Sequence, residues 1–284
     1  MTLRRPHPTA APAPLAAPDL LRGAALLKAA LACAGLVASG AVLAQAQPPN
    51  PVTVELMASR GRLSAQLPDV DAVGLRGTWL LSGGDVARVE LLDERKFGSH
   101  GGIAAVGYTR VLSPDWLISG TFAAGHGGAN WANTRADIEL GTKWGGQRNW
   151  VTRVAAYRAN FDGHRSDQGL RLGVAAYLPG AVVLEGGVTF NVSDPGAVHS
   201  RMPFVSATYG REGEQYLSLR LAAGSEAYQA LGVGQQLVDF NSHSVGLNWR
   251  RWMDRGWGFV AQAERYGNPS YSRTTLGAGI FAQW

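Results

Sequence analysis

Outside the first 46 residues the side chains able to do acid–base or metal chemistry are few, and they are scattered. Histidines stand at His100, His126, His164, His199 and His243. A neutral imidazole is a common metal ligand. A compact site, however, needs ligands at i, i+4 on a helix or i, i+2 on a strand, and no pair of these histidines has either spacing. Two Ser-His neighbours, Ser99-His100 and Ser242-His243, offer a nucleophile and a base for lipid hydrolysis at a membrane rim. Consecutive side chains on a strand point to opposite faces, so neither dipeptide forms a pair by itself. There is no phosphate-binding loop, no Gly-Xaa-Ser-Xaa-Gly elbow and no His-Glu-Xaa-Xaa-His helix. Cys33 is the only cysteine and lies within the first 46 residues, which leaves the rest of the chain without disulfides or thiolate metal sites. The expectation is therefore a non-enzyme without cofactor or metal.

The remaining chemistry is that of fixed charges. Between residues 133 and 144, Arg135, Asp137, Glu139, Gly141 and Lys143 share one face of a period-2 pattern, and Ala136, Ile138, Leu140 and Trp144 share the other. The same alternation places Arg76, Arg88, Glu90, Arg153, Arg171, Glu185, Arg220, Arg250, Gln262 and Glu264 on polar faces. A strand with lipid on its apolar side and a polar lumen on the other has this pattern. An Arg facing lipid near the midplane would cost about 2–4 kcal/mol. The expected lumen-lining set is thus Arg76, Arg88, Glu90, Arg135, Asp137, Glu139, Lys143, Arg153, Arg171, Glu185, Arg220, Arg250 and Glu264. Two readings of that lumen compete: a slightly anion-preferring pore, or an interior filled by paired charges that hold the barrel's shape. The second is preferred.

The elements that must carry these side chains are short strands. Apolar and polar residues alternate near 52–60, 74–81, 86–96, 102–111, 116–124, 133–144, 149–159, 168–178, 181–191, 203–210, 215–223, 242–251, 257–265 and 273–284. Turn residues such as Ser82-Gly83-Gly84-Asp85, Ser113-Pro114-Asp115 and Arg255-Gly256 separate them. Short turns alternate with longer polar connections at Gly125–Asn130, Phe161–Asp167, Val192–Arg201 and Gly224–Asn241. That asymmetry belongs to outer-membrane barrels, with short periplasmic turns. The expected fold is an all-β transmembrane antiparallel barrel of 14 strands, with 12 as the alternative if Val52–Arg60 is not a strand. Of nine tryptophans, Trp79, Trp116, Trp144, Trp150, Trp249, Trp252, Trp257 and Trp284 sit beside short turns or at the C-terminus, as a periplasmic aromatic girdle would require. Trp131 alone lies on the long-loop side, where Trp131, Tyr228, Tyr266 and Tyr271 could meet sugars or form an upper girdle.

The chain's ends fit this plan. Arg4, Arg5, Arg22 and Lys28, followed by an apolar Ala29–Val42 and small-residue cleavage sites ending at Ala44 and Ala46, predict a cleaved leader over 1–46. The expected organisation is leader 1–46, periplasmic tether 47–51 and barrel 52–284. The leader takes four of the 26 basic and one of the 21 acidic residues, leaving 22 against 20. A nearly neutral remainder gives no reason to expect nucleic acid. At the C-terminus, Leu276, Ala278, Ile280, Ala282 and Trp284 alternate with Thr275, Gly277, Gly279, Phe281 and Gln283. This segment, Thr274–Trp284, resembles the signal read by the barrel-assembly machinery, which is expected as a partner together with outer-membrane lipids. A monomer in the outer membrane is expected.

Several stretches together resemble the YaiO family of outer-membrane β-barrels. They are Leu75-Arg76-Gly77-Thr78-Trp79, Gly107-Tyr108-Thr109-Arg110 with Ser113-Pro114-Asp115-Trp116, Asp162-Gly163-His164-Arg165 and Glu185-Gly186-Gly187-Val188. Tyr216-Leu217-Ser218-Leu219-Arg220, Glu226-Ala227-Tyr228-Gln229, Trp249-Arg250-Arg251-Trp252 and Asn268-Pro269-Ser270-Tyr271 extend the likeness over roughly 54–284. The resemblance implies an outer-membrane barrel without an established catalytic role. Members also resemble barrel parts of exopolysaccharide secretion systems, which adds surface polysaccharide to the expected partner classes. The functional expectation is a non-enzymatic envelope barrel, acting as a narrow channel or an accessory to polysaccharide or solute export. The alternatives are a lipid-modifying enzyme at the rim and a structural or adhesive surface barrel.

Overall fold

The computed structural model describes residues 51–232 and 235–284. The expected leader and most of the tether, residues 1–50, lie outside the described residues. Fourteen strands follow: β1 (Val52–Leu63), β2 (Val70–Leu80), β3 (Val86–Lys96), β4 (Ser99–Val111), β5 (Trp116–His126), β6 (Thr134–Trp144), β7 (Trp150–Asn160), β8 (Ser166–Leu178), β9 (Val182–Asp194), β10 (Val198–Arg211), β11 (Gln215–Gly232), β12 (Gln235–Asp254), β13 (Trp257–Gly267) and β14 (Ser272–Gln283). Each pairs antiparallel with its sequence neighbours, and β1 pairs with β14 to close the barrel. The closing ladder runs from Thr53 opposite Gln283 to Leu63 opposite Arg273, and Val52 and Trp284 exchange two backbone hydrogen bonds of 3.1 Å. Closure leaves no edge around the ring where all fourteen strands run side by side, so backbone groups there find partners without water, as a hydrocarbon setting demands; beyond Ala222 and before His243, β11 and β12 pair with each other alone.

The strand faces follow the period of two. On β14, Leu276 and Ile280 are 63% and 60% exposed, while Thr275 and Phe281, of the opposite parity, are buried. On β6, Ile138 and Leu140 stand exposed on either side of the buried Glu139. For a soluble protein this is inverted; with lipid as the outer solvent it is the low-energy arrangement. Val52–Leu63 is a strand with partners on both sides, which settles the count at fourteen rather than twelve.

The outer connections differ from expectation. In the stretch Gly224–Asn241, expected as a loop, Gly224–Gly232 and Gln235–Asn241 continue the β11–β12 ladder, and these strands reach 18 and 20 residues. Val192–Arg201 likewise remains paired up to Ser193 opposite Val198, turning only at Pro195–Ala197. Polar composition concealed these strands: above the membrane neither face needs to be apolar, so the alternation fades while the backbone pairing persists. Length asymmetry on the outer side therefore lies in strands more than in loops.

Candidate functional site: the barrel lumen

Fourteen strands about 4.8 Å apart and tilted by ~40° make a ring about 28 Å across between backbones. Its inward side chains form layers. Nearest the short turns, Trp252, Val260 and Phe281 cluster with Met57 and Tyr216. The Trp252 ring packs edge-on against Phe281 at 5.1 Å, and its indole donates to Gln283 Oε1 at 2.6 Å. Trp252 thus faces the lumen and is not part of the outer girdle expected for it. Its neighbour Trp249, with Trp116, Trp144, Trp150, Trp257 and Trp284, does stand exposed on the outside. Sequence position relative to a turn assigned all of them to one level but said nothing about side; the parity of Trp249 and Trp252 along β12 separates them.

Above this layer lies a network of charges. Arg250 donates to Glu55 Oε2 at 2.5 Å and its guanidinium lies 3.7 Å from the Phe281 ring. Arg76 lies 3.7 Å from the same carboxylate and 2.9 Å from Glu90. Arg250 is on β12 and Glu55 on β1, with β13 and β14 between them, so the pair is made across the curved inner wall. Arg153 lies 3.9 Å from Glu139 and 3.5 Å from Glu185, linking β6, β7 and β9. Arg135 grips Asp137 through two bonds of 2.8 Å, and Arg171 lies 3.7 Å from the same carboxylate. Arg135 and Arg220 also stack on Tyr157 and Phe204. Arg88 sits in the field of Arg76, Glu90, Glu139 and Arg153. Glu264 accepts from Arg273 at 2.7 Å. Lys143 stands at the short-turn end beside Asp115 and Arg148, and joins none of the ion pairs among the described residues.

Among the inward charges outside the expected set, which include Glu94, Lys96 and Glu226 nearer the outer mouth, are Glu55 and Arg273. Both were findable: Glu55 precedes the exposed Leu56, and Arg273 falls in step with Thr275. Each sits near the end of its strand, where the apolar alternation is weakest.

The outer mouth is crowded by residues 127–133. This connection turns inward, and Trp131, only 1% exposed, packs inside the barrel. Its indole donates to Glu94 Oε2 at 2.8 Å, while Lys96 lies 3.1 Å from Glu94 and 5.2 Å from the Trp131 ring. Asn130, in the same segment, accepts from Gln229 on β11 at 3.1 Å, so the segment bridges from the β5–β6 side to the far wall. Beside it Phe97 packs edge-on against Tyr271 at 5.6 Å, and Tyr266 donates to Glu226 at 2.9 Å. Burial pushes the Tyr271 hydroxyl up to about 12, so it stays neutral at any physiological pH. Trp131 and Tyr271 are therefore packing groups of a constriction, not an exposed sugar platform or upper girdle.

The catalytic and metal candidates come out dispersed. Ser99 and Ser242 lie on inward positions of β4 and β12, and His100 and His243 on the outward ones. His100 instead meets Asp93 at 3.2 Å. Among the described residues no three His, Cys, Asp or Glu side chains group closely enough to hold a metal ion.

Comparison with known proteins agrees with this architecture. A family described as the YaiO membrane beta barrel domain matches residues 52–229. Among solved structures, a bacterial polysaccharide outer membrane secretin is similar at 9% identity and a TM-score of 0.51, over 84% of this chain and 100% of that one. An anion-selective porin from Comamonas acidovorans is similar at 10% identity and a TM-score of 0.46, over 82% and 98%. OmpT of Vibrio cholerae with loop L8 deleted is similar at 9% identity and a TM-score of 0.47, over 81% and 98%. At such identities the likeness concerns the fold. No curated protein matches the chain.

Proposed function

The chain belongs to the YaiO membrane β-barrel family of the outer membrane, and on that premise we propose that it is a non-enzymatic, narrow polar conduit whose outer mouth is throttled by residues 127–133. The observation that carries this reading is Trp131: a loop indole seated inside the barrel on Glu94, in a segment anchored to the opposite wall through Asn130 and Gln229. A wall 28 Å across leaves room for water that an eight-stranded barrel lacks. The arginines and carboxylates lining it are held in pairs, which narrows the passage and leaves a modest cationic excess. Small polar or anionic solutes suit such a lining. Surface polysaccharide is the larger cargo class in keeping with it, handed on through the constricted mouth as an accessory to export.

Planar-bilayer recording on the purified barrel tests the proposal. The wild type should give small, weakly anion-selective steps, and Trp131→Ala should enlarge them at least two-fold by freeing the mouth. Absence of steps in both proteins would end the conduit reading.

A further inference from the structure

The outer wall carries a feature that the conduit does not use. A hollow of about 690 Å³ opens on the surface of β7 to β10, with Leu170, Phe190, Val192, His199 and Arg201 among the residues around it. The register aligns its outward side chains in rows. Val154, Leu172, Val188 and Pro203 form one row, wholly apolar. Ala156, Leu170, Phe190 and Arg201 form the next, and Arg158, Gln168, Val192 and His199 the one beyond. The wall thus turns from greasy to cationic within two steps along the strands.

Height locates this change. Trp150 on β7 and Tyr209 on β10 are exposed aromatics at the short-turn ends of their strands. Arg158 and Arg201 each lie about 20 Å further along the barrel axis, taking ~3.3 Å per residue and a ~40° tilt. The apolar band of such barrels is about 25 Å tall, so both guanidiniums sit at its outer boundary. None of the ion pairs among the described residues involves Arg158, Arg201 or His199. The nearest acidic position in the same outward register is Asp194, opposite Ser166 and one step beyond Val192.

We propose that this groove binds a phosphorylated, multiply acylated glycolipid of the outer leaflet, with acyl chains against Leu170 and Phe190 and phosphate held by Arg158, Arg201 and His199. Charge and shape together select it. Arginine forks match phosphate oxygens in a bidentate manner, and the apolar floor continues directly beneath them toward the bilayer centre. A zwitterionic phospholipid would fill the floor but bring an ammonium to a site already cationic.

The test is native mass spectrometry on the purified barrel in detergent, titrated separately with bisphosphorylated lipid A, its dephosphorylated form and phosphatidylethanolamine. Bisphosphorylated lipid A should bind at least ten-fold more tightly than either other lipid. The double variant Arg158→Gln/Arg201→Gln, checked as folded by its heat-shifted gel mobility, should lose that preference. Equal binding of phosphorylated and dephosphorylated lipid by the wild type would overturn the proposal, whether or not the variant folds. So would undiminished binding by the folded variant. Displacement of lipid A by millimolar inorganic phosphate would also overturn it, by revealing a bare anion site without a role for the groove.

Discussion

Replacing Glu55 by Gln should expose what the charge network contributes. The carboxylate faces Arg250 at 2.5 Å and Arg76 at 3.7 Å. Arg76 retains Glu90 at 2.9 Å after the change, so the orphaned partner is Arg250, four-fifths buried against the Phe281 ring. At an effective dielectric near 20, opposite charges this close attract by on the order of 5 kcal/mol before desolvation is counted. Removing one partner of a buried pair typically costs 3–5 kcal/mol. Lumen water reaches Arg250 in part, so a loss of about 3 kcal/mol is expected. Urea unfolding in lipid vesicles, followed by tryptophan fluorescence, measures it. The double variant Glu55→Leu/Arg250→Met should recover to within about 1 kcal/mol of wild type, because the orphaned charge is gone and the volume is kept. A loss below about 0.5 kcal/mol in Glu55→Gln would refute the claim that β1 is tied to β12 across the inner wall.

Other perturbations discriminate the two faces and the two ends. Leu276→Arg puts a guanidinium on the lipid face of β14 and should cost about 2–4 kcal/mol in the same assay, whereas Gln262→Arg on an inward position of β13 should cost far less. Trp131→Ala should widen single-channel steps and loosen the outer mouth, seen as faster proteolysis of residues 127–133 in intact vesicles. In the β2–β3 turn, Asp85 accepts from the Tyr108 hydroxyl at 2.6 Å and from the Val111 amide at 2.8 Å, and the Tyr108 bond foremost holds its carboxyl below the usual range. A depressed carboxylate stabilises above its unfolded pKa of about 3.9 and loses that contribution as pH falls through the lower folded value. The stability gap between wild type and Asp85→Asn should therefore be constant near neutrality and close below about pH 4; a gap unchanged down to pH 2 would contradict the assignment.

How much of this was readable from the chain depended on what surrounds each strand. In the hydrocarbon band the bilayer enforces alternation, and all fourteen strands were legible, including β1, whose Leu56 and Glu55 face opposite ways. Above the band that constraint lapses. The outer reaches of β11 and β12 read as loop because Glu226, Gln229, Gln235 and Asn241 carry no apolar face, although their backbones remain paired. The constriction was illegible for a different reason. Trp131 looks like an interfacial tryptophan until Glu94 and Lys96, far away in sequence, are seen around it. Trp252 could have been placed by parity alone, since Trp249 on the same strand points the other way.

In this barrel apolar side chains meet lipid and charged ones meet the lumen. The sole cysteine, Cys33, falls in the expected leader, so single-cysteine spin labels can be introduced one at a time at positions 135–140 of β6. In vesicles, labels at 136, 138 and 140 should be relaxed by oxygen and shielded from a water-soluble nickel complex, and labels at 135, 137 and 139 should show the reverse order. A profile without this period of two, or one with the faces exchanged, would contradict the account.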